Sequence, residues 1–443
     1  MPPEAPYSTH RLPSAAIHSA STTDGSAARR TAAMRPTRRD PALDGLRGLA
    51  ILLVFFFHYG GGLKASSPAV RALGYLTQTG WVGVVLFFVL SGFLITGIVW
   101  DSLEHKHLIR NFFARRALRI LPLYGLALIV AFAGAVFSGG LALAHAATIK
   151  SFLVYLFFLQ DMPGLTSLAQ QYHSPYAIYH LWSLAVEEQF YLLWPFLLLA
   201  MESRRSARTL CLRIFGLSAL FRILVCLPQF STHRDARFGD FLLTHAGALA
   251  LGGAVALALR SRNRDTGRIA APVRFLRKHA VQGIWGGLSV FAAAGALGHS
   301  FLLSTVPMFA IGLPAITVTF AGLITVVLRR GATRSIFSLR PLVGLGRISY
   351  GFYVFHILLQ PWFDAIARGV THADSGMQYQ LARLLAAFPI TLAVAVLSWR
   401  LLEQPILRLG RQFPLVPSTL SELGLHSSAA DLPVAHHFAP RAQ

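Results

Sequence analysis

Arg47 and His58 lie in the apolar stretch "LDGLRGLAILLVFFFHYG", residues 43–60. Ionisable groups are costly in a segment fit for lipid, and where they occur they are mostly functional. Eleven positions separate them, about 20° short of a whole number of helical turns. The two side chains therefore share one helix face, about 16 Å apart along the axis. An arginine fork there suits a phosphate or carboxylate, and an imidazole suits proton transfer. Asp44, Gly45 and Gly48 allow close packing around the arginine. The plainer reading is a snorkelling arginine and a histidine satisfied by a neighbouring helix.

Four further stretches carry candidate chemistry. In "NFFARRALRILPLY" (111–124), Arg115, Arg116 and Arg119 occupy one turn at a membrane boundary. The i,i+3 pair Arg116 and Arg119 aims two guanidinium groups at one anion, although a topology signal needs nothing beyond positive charge. In "HLWSLAVEEQFYLLWP" (180–195), Glu187 and Glu188 lie about one turn inside a span and cannot both point the same way. At least one should meet a cation or line a polar cavity, because a buried unpaired carboxylate is costly. His180, Trp182, Ser183 and Gln189 read as capping and hydrogen-bonding support. "GRISYGFYVFHILLQP" (346–361) places His356 in the body of a span, with Ser349 and Tyr350 near its end. "LSWRLLEQPILRL" (397–409) ends on Glu403 and Pro405, either a helix terminator or a buried carboxylate free to pair with Arg47.

Membrane helices must position these residues. Of 443 residues, 54% are hydrophobic and 13% charged, about half the charged fraction of a soluble domain. A net charge of +22 would suggest nucleic acid in a soluble chain. Here the basic residues sit between apolar runs, where they set topology, and no nucleic-acid module is visible, so no nucleic-acid partner is expected. Cys211 and Cys226 are about 22 Å apart on one helix, too far for a disulfide, and no metal is expected. Apolar spans are predicted at 44–63, 81–100, 120–138, 183–201, 210–228, 241–259, 281–298, 307–328, 349–367 and 381–402. Basic stretches at 101–119, 202–209, 260–280 and 329–347 alternate with less basic ones. About ten transmembrane helices with both termini cytoplasmic satisfy the positive-inside rule. The apolar segment 149–160 is too short to span and reads as a re-entrant or interfacial element on the outer side. The expected fold class is an all-α polytopic membrane protein. Residues 1–40 form a disordered basic cytoplasmic tail without a signal peptide, 41–410 the transmembrane domain, and 411–443 a cytoplasmic C-terminal tail.

Together these motifs resemble the membrane-bound acyltransferase-3 family, whose members O-acylate cell-surface glycans. Arg47 and His58 match its arginine and histidine eleven apart in the first helix. "FFVLSGFLIT" (87–96) resembles its second-helix signature, and Arg116 and Arg119 match its RxxR motif. "HLWSLAVEEQFYLLWP" is similar to its most recognisable segment. "ISYGFYVFHILL" and the Glu-x-Pro of Glu403 and Pro405 complete the set in the family's order. The resemblance covers about residues 40 to 410. One departure stands out: "FLLTHAGALALGG" carries His245 and Gly247 where family members often have an Arg and an Asp. If those positions shape the acceptor cavity, the acceptor here differs from the common ones.

The resemblance implies an acyl-CoA donor, usually acetyl-CoA, entering from the cytoplasm. It implies an acceptor hydroxyl on a glycan or glycoside at the outer face of a bacterial cytoplasmic (inner) membrane. On this reading Arg116, Arg119 and Arg47 bind CoA phosphates, and His58 is either a general base on the hydroxyl or an acyl carrier. Glu188 or Glu403 orients or balances charge, while Glu187, Trp182, Ser183, Tyr350 and His356 support the substrates. A second transfer step calls for a separate periplasmic partner, and a homo-oligomer stays open. Two rival classes exist. A transporter or flippase of a glycan or lipid intermediate explains buried charge, but not a histidine midway on the face of Arg47. A non-catalytic scaffold predicts that arginine and histidine substitutions leave the surface glycan unchanged.

Overall fold

The computed structural model describes residues 40–60, 74–75, 77–138, 145–169, 174, 176–227, 238–260, 271–329 and 331–415. The tail expected at 1–40 and that at 411–443 lie outside this set, apart from Asp40 and residues 411–415. The described residues form helices, with no strand among them. In chain order the principal ones are α1 (Pro41–Gly60), α2 (Val82–Asp101), α3 (Leu108–Ser138), α4 (His145–Leu156), α5 (Trp182–Leu199), α6 (Arg204–Val225) and α7 (Leu242–Leu259). They continue with α8 (Ala271–Leu297), α9 (Leu313–Val327), α10 (Arg340–Arg347), α11 (Ser349–Leu358), α12 (Gln360–Thr371) and α13 (Met377–Ser398). Among the described residues, 7 helices are long and apolar enough to cross a membrane: α1, α2, α3, α7, α8, α9 and α13 with their flanking turns.

The other three predicted spans differ for physical reasons. α5 carries Glu187, Glu188 and Gln189, and α6 carries Arg204, Arg205, Arg208, Arg213 and Arg222, so both are more polar than these seven. The segment 349–367 breaks at Leu359, which ends α11 and caps α12. Pro361 lies in the first turn of α12, where its missing N–H is harmless, and a proline biases the chain before it away from continuous helix. Two further helices start early. α3 begins at Leu108 rather than 120 and α8 at Ala271 rather than 281. Arginine and lysine are good helix formers, so basic segments expected as connectors continue the spans instead.

Helix directions follow from side-chain pairings. Phe113 meets Phe196, and the Arg116 guanidinium lies over Tyr191, so α3 and α5 are antiparallel. A crossing between them would have made them parallel. α4 has 12 residues, about 18 Å of helix against a hydrocarbon core of about 30 Å. Arg47 meets Ser349 and His58 meets His356, so α11 runs alongside α1 in the same direction.

The centre is closed by small residues and a clamp. Side chains at Gly92 or Gly252 would strike the backbone of α7 or α2, so these helices touch backbone to backbone. Gly45 and Gly346 do the same between α1 and the segment 337–346. At the end of α2, Asp101 accepts from Arg260 Nε and Nη2 at 2.9 Å each, tying it to the end of α7. Large apolar side chains such as Leu217, Trp285, Leu385 and Leu401 stand exposed on α6, on α8, on α13 and just beyond it. Such a surface suits lipid rather than water.

Candidate functional site: an arginine cavity backed by paired histidines

A cavity opens between α1, α2, α3, α5 and α11. Among the described residues Arg47, Arg116, Arg119 and Glu187 line it, so three cations face one carboxylate there. Arg47 donates from Nη2 to Ser349 Oγ at 3.3 Å, and its guanidinium sits 5.6 Å from the Phe87 ring. Arg116 stacks 4.5 Å from the Tyr191 ring centre. Stacked guanidinium groups keep their edges available, the arrangement suited to a polyanion. The carboxylate is already engaged, since Ser91 donates to Glu187 Oε1 at 2.6 Å. Tyr350 lines the cavity while donating to the Ile120 carbonyl at 2.7 Å.

Helical period explains this wall. Ser183, Glu187 and Tyr191 are spaced i, i+4, i+8 on α5, and Ser349 and Tyr353 are spaced i, i+4 on α11. Arg116 and Arg119 face inward, whereas Arg115 donates to the Phe413 carbonyl at 2.5 Å on another side. The described residues after 410 thus pack on α3 rather than leaving it as a tail; Asn111 also donates to the Pro414 carbonyl at 2.7 Å.

His58 does not line the cavity. Tyr353 and Ser183 do, and they stand between it and the histidines. Tyr353 donates to the His180 carbonyl at 2.6 Å, so the 2.6 Å contact with Ser183 has the serine hydroxyl donating to Tyr353. Behind this layer, His356 lies with its ring centre 5.1 Å from that of His180 and 5.0 Å from that of His58. His356 Nδ1 is 2.5 Å from the Tyr353 carbonyl, which can only accept, so Nδ1 carries the proton and Nε2 the lone pair. That lone pair faces His58 Nδ1 at 3.3 Å. The same His58 nitrogen is 2.9 Å from the Val54 carbonyl. Two acceptors therefore hold the His58 proton on Nδ1 and leave Nε2 as a base. His356 and His180 are buried, while His58 is partly exposed. Tyr59 donates to the His356 carbonyl, fixing α11 against α1 from behind.

The remaining predicted residues fall elsewhere. Glu188 is outside the cavity lining and interacts with Arg116 through space. Glu403 is buried, accepts from Ser398 at 3.2 Å, and has Arg119 rather than Arg47 as its nearby cation. Trp182 faces away from the arginines and lies against His245, ring centres 5.0 Å apart. Sequence reading passes over Ser91, Tyr191 and Tyr353, yet all three stand on stripes that helical period would have extended. It also passes over Gln160, Asp240 and the buried Arg222, which donates to Ser218 at 2.9 Å and to the Thr244 carbonyl. Only tertiary packing makes these three inward-facing.

The fold and site define a polytopic helical membrane domain with an anion-attracting cavity backed by imidazoles. Residues 40–400 match the acyltransferase-3 family, described as an acyltransferase domain, and the chain belongs to that family. It is similar to the peptidoglycan O-acetyltransferase OatA of Listeria monocytogenes serovar 1/2a, 28% identical over 386 residues, 84% of this chain and 56% of the relative. It is also similar to the putative peptidoglycan O-acetyltransferase YrhL of Bacillus subtilis, 27% identical over 374 residues, 83% of this chain and 54% of the relative. The O-acetyltransferase OatA of Staphylococcus aureus strain MRSA252 is 23% identical over 396 residues, 86% of this chain and 60% of the relative. The chain spans a little over half the length of these curated relatives.

Proposed function

We propose that the chain moves an acyl group, acetyl by analogy with its relatives, from cytoplasmic acyl-CoA to a hydroxyl of an extracytoplasmic glycan. The relatives' names favour peptidoglycan as the acceptor. The observation that carries this reading is the placement of three arginines in one cavity, one side-chain layer from a histidine whose tautomer is fixed. Arg47, Arg116 and Arg119 hold the CoA phosphates, for which guanidinium forks are well matched. The pantetheine arm then passes the Tyr353 and Ser183 layer to bring the thioester to His58.

At that point His58 Nε2 takes the acceptor hydroxyl's proton as its oxygen attacks the thioester carbonyl. The C–S bond breaks, and the departing CoA thiolate recovers the proton from the imidazolium. His356, a neutral acceptor on Nδ1–H, steadies the imidazolium while it exists. In the rival route Nε2 itself attacks the thioester and passes the acyl group on. Both routes need the same nitrogen. Purified protein in nanodiscs, incubated with labelled acetyl-CoA and soluble glycan strands, tests the proposal. CoA release matched one for one by acylated glycan supports it. Movement of the glycan without acylation would instead make the chain a transporter.

A further inference from the structure

Arg383 is the one charged residue of α13, a helix otherwise fit for lipid. Its Nε lies 2.6 Å from Asp364 Oδ1 on α12, at an angle that makes the contact an ion pair rather than an aligned hydrogen bond. The two side chains are 14% and 21% exposed. Tyr379 lies beside the same carboxylate. Ionisable groups in spanning helices are costly and mostly functional. A largely buried ion pair is often no more stabilising than apolar side chains of the same volume, so stability alone accounts for it poorly.

The pair is aimed at Tyr59. The Arg383 guanidinium sits 4.9 Å from the centre of the Tyr59 ring. Phe55, one turn back on α1, stacks on that ring at 4.8 Å with 24° between the planes. The ring is thus held between an aromatic and a guanidinium. Phe363, next to Asp364, meets it edge-on at 5.9 Å. Tyr59 is 1% exposed, and its hydroxyl donates to the His356 carbonyl. So α12 and α13 fix the ring, the ring fixes the backbone of α11, and His356 Nε2 faces His58 Nδ1 at 3.3 Å. Arg383 also acts on His58 through space, and Asp364 balances its charge. The pair brings a rigid stack to the reacting end without adding a net charge there.

We propose that Arg383, held by Asp364, is a positioning residue for acyl transfer, acting through Tyr59 to keep His356 in register with His58. Arg383→Lys keeps the charge but not the planar stack. Tyr59→Phe keeps the ring but loses the bond to the His356 carbonyl. Neither side chain is in the lining of the arginine cavity, so donor binding should not depend on them. The assignment rests on the acyl-transfer reading, since it concerns the rate of that reaction.

The test measures acetyl transfer from labelled acetyl-CoA to soluble glycan strands, with full-length protein in nanodiscs, and CoA affinity by calorimetry. Arg383→Gln should lower kcat about tenfold, the scale of one hydrogen bond, with the KM for acetyl-CoA and the CoA affinity within about twofold of wild type. Tyr59→Phe should do the same. The double variant should fall no further than the worse single, and Arg383→Gln should change little in a His356→Phe background, because residues acting through one contact are not additive. Unchanged kcat in Arg383→Gln overturns the assignment, as do losses that multiply in the double variant. A loss of CoA affinity as large as the loss of kcat, in monodisperse protein, makes the pair merely structural and also overturns it. Where Arg383→Gln is not monodisperse, Arg383→Lys replaces it: kcat should still fall, and wild-type kcat there overturns the proposal. Wild type that transfers no acetyl at all would sink the acyl-transfer reading itself, an outcome distinct from active wild type with unaffected variants.

Discussion

His356 Nε2 stands 3.3 Å from His58 Nδ1, on a helix that α1 reaches 298 residues earlier in the chain. Because His356 Nδ1 is committed to a backbone carbonyl, the contact runs one way: His58 donates and His356 accepts. The buried imidazole thus does for His58 what a carboxylate does in a serine hydrolase triad, without adding a charge. General-base loss typically lowers rates about 10²- to 10⁴-fold, and His58→Ala should fall in that range. His356→Phe should lower kcat on the order of tenfold, the scale of one neutral hydrogen bond of about 1 kcal/mol. The loss is partial because the Val54 carbonyl still holds the same proton. Steady-state acetyl transfer would check this, and an unchanged kcat in His356→Phe would remove His356 from the mechanism.

The arginine cavity predicts a graded effect on donor affinity. Each hydrogen bond to a charged group contributes about 1.5–3 kcal/mol, or about 10- to 150-fold in Kd. Arg119→Gln should weaken CoA binding on that scale. Arg116→Lys should weaken it too, since lysine cannot reproduce the planar stack on Tyr191. Arg115→Gln should stay within about twofold, because Arg115 serves the Phe413 carbonyl instead. Calorimetry with CoA separates the three, and equal losses at 115 and 119 would mean that only net charge matters.

Much of this arrangement was legible in the sequence, and the limits are physical. The eleven-residue spacing put Arg47 and His58 on one face, and both indeed meet α11. The i,i+3 spacing put Arg116 and Arg119 together, and both line one cavity. Helical period states which residues share a face, but not which helix that face meets. Hence Glu403 and Arg47, both read as inward, have different partners, and Trp182 and Ser183 face different neighbours although adjacent. Gln160 and Asp240 carry no periodic signal, because each lies in an irregular turn whose direction is set by packing. The break at Leu359 was signalled by Pro361, which apolarity alone overrode.

The clamp between Arg260 and Asp101 predicts non-additive stability. Their side chains are 7% and 23% exposed, so removing one partner leaves a largely buried charge. Breaking such a pair typically destabilises by about 3–5 kcal/mol, whereas replacing both partners by apolar groups is often neutral. Asp101→Ala should lower the melting temperature sharply in detergent. Adding Arg260→Leu to it should recover much of the loss. A double variant as unstable as the sum of the singles would mean that the two act independently.

Close helix contact predicts opposite outcomes for chemically identical substitutions. A methyl at Gly92 would enter the backbone of α7 at Leu249, and one at Gly346 would enter the backbone of α1 at Asp44. Neither obstacle is a side-chain end that can swing away, so the helices must separate. Overpacking of this kind destabilises by about 1–3 kcal/mol or more, and at Gly346 it also displaces the start of α11 and with it Ser349. Gly216 in α6 and Gly286 in α8 meet nothing within 4 Å of an added methyl. There alanine brings only its better helix propensity, worth up to about 1 kcal/mol. Gly92→Ala and Gly346→Ala should therefore lose monodisperse protein on heating well before wild type, while Gly216→Ala and Gly286→Ala should match or exceed it. A thermal series by size-exclusion chromatography reads all four, and the packing is wrong if the two pairs behave alike.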